Sequence, residues 1–168
     1  MDEIVNKVAQ SGIITFNLDS IRPKGAREHI DIAPQLWQGI ALKEKDFRDW
    51  IKNNDWSQFK DKHIAISCSV DAIIPSWAFM LIASEVEPYA HTVCYGTLDE
   101  LEEIIYRKAI DELDLSIYAG VRIMLKGCGD KVPMGSYIYL TQKLTPLVKS
   151  LMFGEPCSAV PVFKASKK

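Results

Sequence analysis

Three cysteines of this chain, Cys68, Cys128 and Cys157, stand in short segments where a thiol could do chemistry. Thiolates are nucleophiles, and they are also ligands that zinc and iron–sulfur centres prefer. Cys128 lies between two glycines, and because glycine has no Cβ, another group can approach this thiol closely. The sequence therefore indicates either a metal site or a reactive thiol.

Cys68 stands at the end of a β-like run at 63–68, and Cys128 follows an apolar run at 121–125 that is typical of a buried strand. If these strands are parallel neighbours, both thiols lie at the carboxyl ends of the strands, where ligands of α/β sheets gather. The helices predicted after them would direct their positive ends toward the thiols and so lower the thiol pKa. The alternative is that both cysteines are small buried hydrophobes, since free cysteine is among the most buried residue types.

The part played by Cys157 depends on the helical pattern over residues 133–153. An uninterrupted helix would carry Cys157 to the opposite end of the sheet. Pro146 removes a helical hydrogen bond and favours a break, after which the last strand, 159–163, would run antiparallel and return Cys157 to the other thiols. Three thiolates would then bind zinc, with water or a carboxylate as the fourth ligand, or iron in an iron–sulfur centre.

Other polar residues are assigned structural roles. Cys94 lies within a strand pattern at 92–95 and is interpreted as core packing. Asp71 and Asp130 precede predicted helices and are expected to cap them, with metal ligation or a base beside the thiols as the alternative. The sequence has no CxxC pair, no Walker A sequence and no GxSxG motif, so nucleotide binding and serine hydrolysis have no support.

The composition limits the classes of partner and the compartment. The chain has 168 residues and a net charge of -2, which gives no basic footprint for nucleic acid. No apolar run approaches the roughly 18 residues that span a bilayer, and the N-terminus lacks a signal-peptide pattern. We therefore expect a cytoplasmic protein without nucleic acid or membrane partners, in which the four cysteines are free thiols or ligands.

Strands that alternate with helices predict a single α/β domain over residues 1–168. The expected architecture has three layers, with a mainly parallel sheet, helices on both faces and an added N-terminal β segment. Residues 1–60 form the β-rich extension, in which 14–18 and 30–32 could pair as a hairpin, and 61–164 form the βαβ core. Residues 73–86 are apolar almost all round and predict a buried helix. No internal repeat is evident.

Several segments resemble an uncharacterised bacterial family, domain of unknown function 2480. They are 3–6 (Glu-Ile-Val-Asn), 44–48 (Glu-Lys-Asp-Phe-Arg), 67–75 (Ser-Cys-Ser-Val-Asp-Ala-Ile-Ile-Pro), 126–128 (Lys-Gly-Cys) and 152–158 (Met-Phe-Gly-Glu-Pro-Cys-Ser). The resemblance spans nearly the whole chain and includes Cys68, Cys128 and Cys157 but omits Cys94. It also implies gene neighbours that assemble iron–sulfur clusters, and hence assembly proteins as partners.

Three functional hypotheses remain open. The first is a metal- or cluster-handling accessory protein that binds zinc or iron through Cys68, Cys128 and Cys157. The second is an enzyme or sulfur carrier in which Cys128 is a reactive thiolate tuned by Asp130 or a helix end. The third is an interaction module whose cysteines are simply buried. A homodimer is expected only because symmetric dimers are the commonest assembly.

Overall fold

The computed structural model describes residues 12–127, 131–155 and 158–166, which form four α-helices and seven β-strands joined by loops and short 3-10 turns. The helices are α1 (Glu44–Asn53), α2 (Ser76–Val86), α3 (Leu98–Asp111) and α4 (Met134–Leu144). The strands are β1 (Ile13–Asn17), β2 (Arg27–Asp31), β3 (His63–Ser67), β4 (Thr92–Tyr95), β5 (Arg122–Lys126), β6 (Ser150–Phe153) and β7 (Val160–Lys164).

The strands form two mostly parallel sheets, with the orders β1-β5-β6-β7 and β2-β3-β4. Among the described strands, β6 and β7 are the antiparallel neighbours. The predicted α/β class with mainly parallel strands is confirmed, although the strands divide into two sheets where the sequence predicted one. The predicted hairpin is wrong, because β1 pairs with β5 and β2 pairs with β3, each in parallel.

The chain forms two compact units. The continuous unit comprises Lys24–Ile105, and the split unit comprises the described residues up to Pro23 together with those from Tyr106 onward. Each unit contains one of the two sheets and an apolar cluster of its own. The division of one domain into an extension and a core at residue 60 stays a prediction.

The middle strand β3 shows how the continuous unit is layered. Ile64 and Ile66 pack in a core cluster that contains residues of α1 and α2. Between them, Ala65 packs in a second cluster with Leu101 and Ile105 of α3. Because successive side chains of a strand point to opposite faces, helices cover both faces of this sheet, as predicted.

The two units repeat one order of elements, which sequence analysis missed. The continuous unit runs through β2, a 3-10 turn, α1, a second 3-10 turn, β3, α2 and β4. The split unit runs through β1 and a 3-10 turn, then resumes with the second half of α3, a 3-10 turn, β5, α4 and β6, and adds β7. In both units the first strand is parallel to the second, and the second is parallel to the third.

Turn chemistry recurs in the same places. Asp55 and Asp114 each begin a 3-10 turn by accepting a hydrogen bond from a main-chain N–H, at 3.0 and 3.1 Å. Gly96 and Gly154 follow the third strand of each unit with φ values of 133° and 117°, a conformation that favours glycine. The repeat therefore lies in caps, turns and burial more than in identical residues.

Helices α2 and α4 are counterparts, each preceded by a proline in the N-cap position. Each buries one residue per turn: Ala78, Ile82 and Val86 in α2, and Ser136, Leu140 and Leu144 in α4. The sequence predicted that α2 is buried on all sides, and this is wrong because Met80 is 69% exposed. Asp71 is not the predicted cap either, since α2 begins at Ser76 with Pro75 before it.

The segment after α4 departs from the predicted long helix. Helix α4 ends at Leu144, directly before the Thr145-Pro146 pair, as the proline predicts. Residues 150–153 form strand β6 instead of a second helical half, and β6 is parallel to β5. Strand β7 is antiparallel, as the sequence predicted, and it lies at the sheet edge, which is where a strand tolerates a proline such as Pro161.

Candidate functional site

The carboxyl ends of β5 and β6 lie side by side at one end of the split unit's sheet, and we call this region the thiol edge. Strand β5 ends at Lys126 and β6 at Phe153, and the two strands are parallel neighbours. Lys126 Nζ pairs with Glu155 Oε2 at 2.7 Å. This ion pair ties the segment after β6 to the end of β5.

Cys128 and Cys157, together with Asp130, lie outside the described residues. Gly127 and Glu155, which stand shortly before the two cysteines in the chain, both belong to the thiol edge. The parallel pairing of β5 with β6 directs the chain after β6 to this edge, without the helical down-and-back path that the sequence suggested. The predicted metal ligation by Cys128 and Cys157 therefore stays a prediction.

Gly127, the residue before Cys128, is needed for close packing. A Cβ built on Gly127 would overlap the hydroxyl of Tyr137 in α4. Tyr137 in turn meets Phe153 of β6 edge to face, with the ring centroids 5.7 Å apart. Gly127 therefore allows α4 to approach the end of β5, a role that sequence analysis did not consider when it attributed the glycine to access for the thiol.

A mostly apolar cavity of about 630 Å³ opens next to Gly127. Residues of β5, α4, β6 and β7 line it, among them Leu125, Tyr137, Ile138, Phe153 and Val162. Its volume lies in the range of small-molecule pockets, which are commonly apolar with a few polar groups. The cavity is a feature of the split unit that the sequence did not predict.

Cys68 follows β3 at the carboxyl edge of the continuous unit's sheet. Its side chain is half-buried and packs against that unit's apolar cluster. Asp31, at the end of β2, fixes the adjoining loop by accepting hydrogen bonds from the Ser69 N–H at 2.9 Å and the Ser69 hydroxyl at 2.6 Å. It also accepts a hydrogen bond of 2.9 Å from the Ala33 N–H.

These hydrogen bonds affect the pKa of Asp31 and therefore the way in which stability depends on pH. Burial raises the pKa of Asp31, but the hydrogen bonds from Ser69 and Ala33 and the charge of His29 outweigh burial and leave the pKa below its usual value. A lowered folded-state pKa means that Asp31 contributes stability above its unfolded pKa of about 3.9. That contribution is lost as the pH falls through the folded-state pKa.

We expect Asp31→Asn to lower the free energy of unfolding at neutral pH by about 1–3 kcal/mol, because an amide satisfies the Ser69 and Ala33 donors less well. The variant should also show a shallower loss of stability between about pH 5 and pH 2 than the wild type. Urea unfolding across this range measures both effects, with Asp46→Asn on the exposed side of α1 as the control. Identical pH slopes for Asp31→Asn and wild type would contradict the assignment.

A histidine–serine pair lies at the same edge of the continuous unit. His29 Nε2 is 2.7 Å from the Ser67 hydroxyl. Alternation along the paired strands β2 and β3 puts His29, Asp31 and Ser67 on one face of the sheet, an arrangement that the sequence did not predict. The missing information was the pairing of β2 with β3, which the hairpin interpretation excluded.

Of the three predicted metal ligands, Cys68 is the one that the structure describes. Within residues 12–127, 131–155 and 158–166, no group of three or more His, Cys, Asp or Glu side chains could hold a metal ion. Cys94 lies in β4 and packs against the cluster of Ala65, Leu101 and Ile105, in agreement with its predicted core role. Neither Cys68 nor Cys94 is part of a disulfide.

In the part of the chain that the structure covers, no helix is long and apolar enough to cross a membrane.

Comparison with known proteins gives a family but no function. No curated protein and no solved structure matches the chain. Residues 2–165 match the family described as "Protein of unknown function (DUF2480)", which confirms the resemblance seen in the sequence. The chain therefore belongs to the DUF2480 family, a family of unknown function.

Proposed function

We propose that the thiol edge binds a soft metal ion, zinc or iron, through Cys128 and Cys157. The observation that carries this proposal is the ion pair between Lys126 and Glu155, because it joins the chain segments in which the two cysteines stand. Thiolates suit zinc and iron–sulfur centres better than they suit hard cations such as magnesium.

The ligand set is completed by further donors. Cys68, the third cysteine of the set predicted from the sequence, belongs to the continuous unit, and its part stays a prediction that its own variant tests. Water or a carboxylate serves as a further ligand in sites with fewer than four thiolates. A reducing compartment such as the cytoplasm would keep these thiols available for metal.

In this proposal the protein handles a metal ion or cluster for other proteins. The resemblance to a family expected beside iron–sulfur assembly genes supports assembly proteins as the partners. The proposal assigns no reaction to the chain, because ligand exchange between proteins needs only exchangeable thiolates.

Elemental analysis of anaerobically purified protein tests the site. We expect the wild type to carry close to one equivalent of zinc, or iron at a cluster stoichiometry. Cys128→Ser and Cys157→Ser should each lose most of this metal, because a serine hydroxyl is a poor replacement for a thiolate. Cys68→Ser shows whether the third predicted cysteine contributes.

Cys94→Ser is the matched control, since it removes a thiol that packs in the core of the continuous unit. It should keep the metal content of the wild type. Wild-type protein that takes up neither zinc nor iron after anaerobic reconstitution would refute the proposal. Equal metal loss from Cys94→Ser and Cys128→Ser would refute the assigned ligands.

A second candidate is a reactive-thiol enzyme or sulfur carrier in which Cys128 is the thiolate and Asp130 tunes it. The cavity beside Gly127 favours this candidate, since it could hold the apolar part of a substrate and Gly127 directly precedes Cys128 in the chain. It requires one thiol that alkylates much faster than the others and that Cys128→Ser removes. Slow, uniform alkylation of all four cysteines would exclude it.

A further inference from the structure

The continuous unit has an apolar groove of about 320 Å³ between α2 and β4, which we call the edge groove. Phe79 and Met80 of α2 and Val93 and Tyr95 of β4 are among its lining residues. Met80 is 69% exposed and Tyr95 is 71% exposed, so large apolar side chains face solvent here. Scattered exposed apolar residues are normal, but a contiguous set along a groove indicates a binding surface.

The split unit has a corresponding groove between α4 and β6. Phe79 of α2 corresponds to Tyr137 of α4 in the repeated arrangement, and both rings line their grooves. Tyr95 of β4 corresponds likewise to Phe153 of β6. The split unit fills the outer side of its groove with β7, whose Val162 is a lining residue. The edge groove has no such strand, because the order β2-β3-β4 ends at β4 among the described strands.

The main chain of β4 suits the addition of a strand. The Gly96 N–H donates to the Ile66 carbonyl of β3 at 3.0 Å. Alternate residues of a strand direct their main-chain groups to opposite sides, so Tyr95 and Val93 direct theirs away from β3. Their counterparts in β6 also pair with β7, Leu151 with Phe163 and Phe153 with Val160.

We propose that the edge groove binds an extended segment of a partner protein, which adds to β4 as an antiparallel strand. Strand addition draws affinity from main-chain hydrogen bonds and specificity from pockets for alternate side chains. The fitting segment carries aliphatic side chains at alternate positions, as Val160 and Val162 do in β7. Glu87 lines the edge groove, and its acidic side chain favours a basic residue in the segment, like Lys164 of β7.

This surface lies within the continuous unit and does not depend on the thiol edge. Docking of a segment would bury apolar area that is now exposed on Met80 and Tyr95. It would also cover the outer side of β4, which is an edge strand among the residues that the structure describes; proteins commonly protect such edges because they pair with other chains. The edge groove thus gives a protein of this family a specific means of holding a partner.

A synthetic peptide of residues 158–166 (Ser-Ala-Val-Pro-Val-Phe-Lys-Ala-Ser) is the probe, and titration followed by amide NMR of the whole chain is the measurement. We expect saturable shifts that are largest at the amides of Val93 and Tyr95. Met80→Lys should weaken binding at least tenfold, since it places a charge in the groove. Ile40→Lys, at a residue that is 64% exposed outside the groove, should leave binding unchanged.

Tyr95→Pro is the second variant. Proline removes the main-chain N–H that residue 95 directs away from β3, and an edge strand tolerates a proline. It should abolish binding, and a dispersed NMR spectrum shows that it is folded. Absence of shifts would overturn the proposal, as would shifts confined to β6, which would mean that the peptide displaces β7. A dimer that Met80→Lys dissociates would also overturn it and assign the groove to a second copy of the chain.

Discussion

Replacing Leu140 with alanine is expected to lower the free energy of unfolding by about 2–5 kcal/mol. Leu140 is fully buried in α4 and packs in the apolar cluster of the split unit. The shorter side chain would leave a cavity that the surrounding residues close only in part. Ile82 holds the corresponding place in α2 and is also fully buried, so Ile82→Ala should lose stability in the same range.

Urea unfolding measures both variants, and two signals separate the units. All four tryptophans, at positions 37, 50, 56 and 77, lie in the continuous unit, so tryptophan fluorescence follows that unit. Far-ultraviolet circular dichroism follows the helices of both units. Ile82→Ala should therefore shift both transitions, whereas Leu140→Ala should shift the circular dichroism transition more than the fluorescence transition.

Exposed neighbours on the same helices are the controls. Ile138 is 58% exposed and Met80 is 69% exposed, so Ile138→Ala and Met80→Ala should each change stability by less than about 0.5 kcal/mol. These two residues follow the helical pattern of apolar side chains as well as the buried ones do. If Ile138→Ala destabilised the chain as much as Leu140→Ala, the assignment of the buried face of α4 would be contradicted.

Local signals in the sequence predicted local structure well. The sequence Thr-Leu-Asp-Glu at 97–100 is typical of a capping box, and the structure contains one: Thr97 Oγ1 accepts from the Glu100 N–H at 3.2 Å, and Glu100 accepts from the Thr97 N–H at 2.7 Å. Pro146 ends α4, and Pro161 marks an edge strand. Each of these features depends on residues that are close together in the sequence.

Pairings between distant segments could not be predicted in the same way. Strand β1 pairs with β5 although the whole continuous unit separates the two strands in the sequence, and no turn or residue spacing predicts this pairing. Strand pairing depends on packing between elements that are distant in the sequence. Because β1 and β2 are neighbours in the sequence, they were predicted to form a hairpin, which is wrong. The repeat was not predictable for the same reason, because it lies in the strand orders of the two units and not in repeated residues.

In the candidate site, too, local features were predictable and contacts between distant segments were not. The position of Cys68 directly after a buried strand was predictable from the apolar run before it. The contacts between Asp31 and Ser69 and between Lys126 and Glu155 join segments far apart in the chain, and they were not predictable. Sequence patterns thus indicate which residues could do chemistry, whereas the strand pairing decides which of them meet.

The largest electrostatic effect is expected at the other end of the continuous unit's sheet, where Arg27 pairs with Glu102. Arg27 Nε and Nη2 donate to the two carboxylate oxygens of Glu102 at 2.8 and 3.2 Å. Both side chains are largely buried, with 12% and 13% exposed. Glu102→Ala would leave the guanidinium buried without its counter-charge, so we expect a loss of about 3–5 kcal/mol in the free energy of unfolding.

Glu44→Ala is the surface control. Glu44 pairs with Arg48 at 2.8 Å on α1, and more than half of each side chain is exposed, at 62% and 55%. Ion pairs in such surroundings contribute about 0–1 kcal/mol, since water and salt screen the charges. Urea unfolding at neutral pH should therefore separate the two variants clearly.

A double variant, Arg27→Met with Glu102→Leu, distinguishes the two reasons for which Glu102→Ala could destabilise the chain. If the cost comes from an uncompensated buried charge, removal of both charges restores the stability to within about 1 kcal/mol of the wild type or raises it. If the cost comes from lost packing around α3, Glu102→Leu alone should restore the stability, because leucine refills most of the lost volume while Arg27 still lacks its counter-charge. A double variant as unstable as Glu102→Ala would contradict the electrostatic explanation, and a Glu102→Leu variant as stable as the wild type would leave packing as the cause.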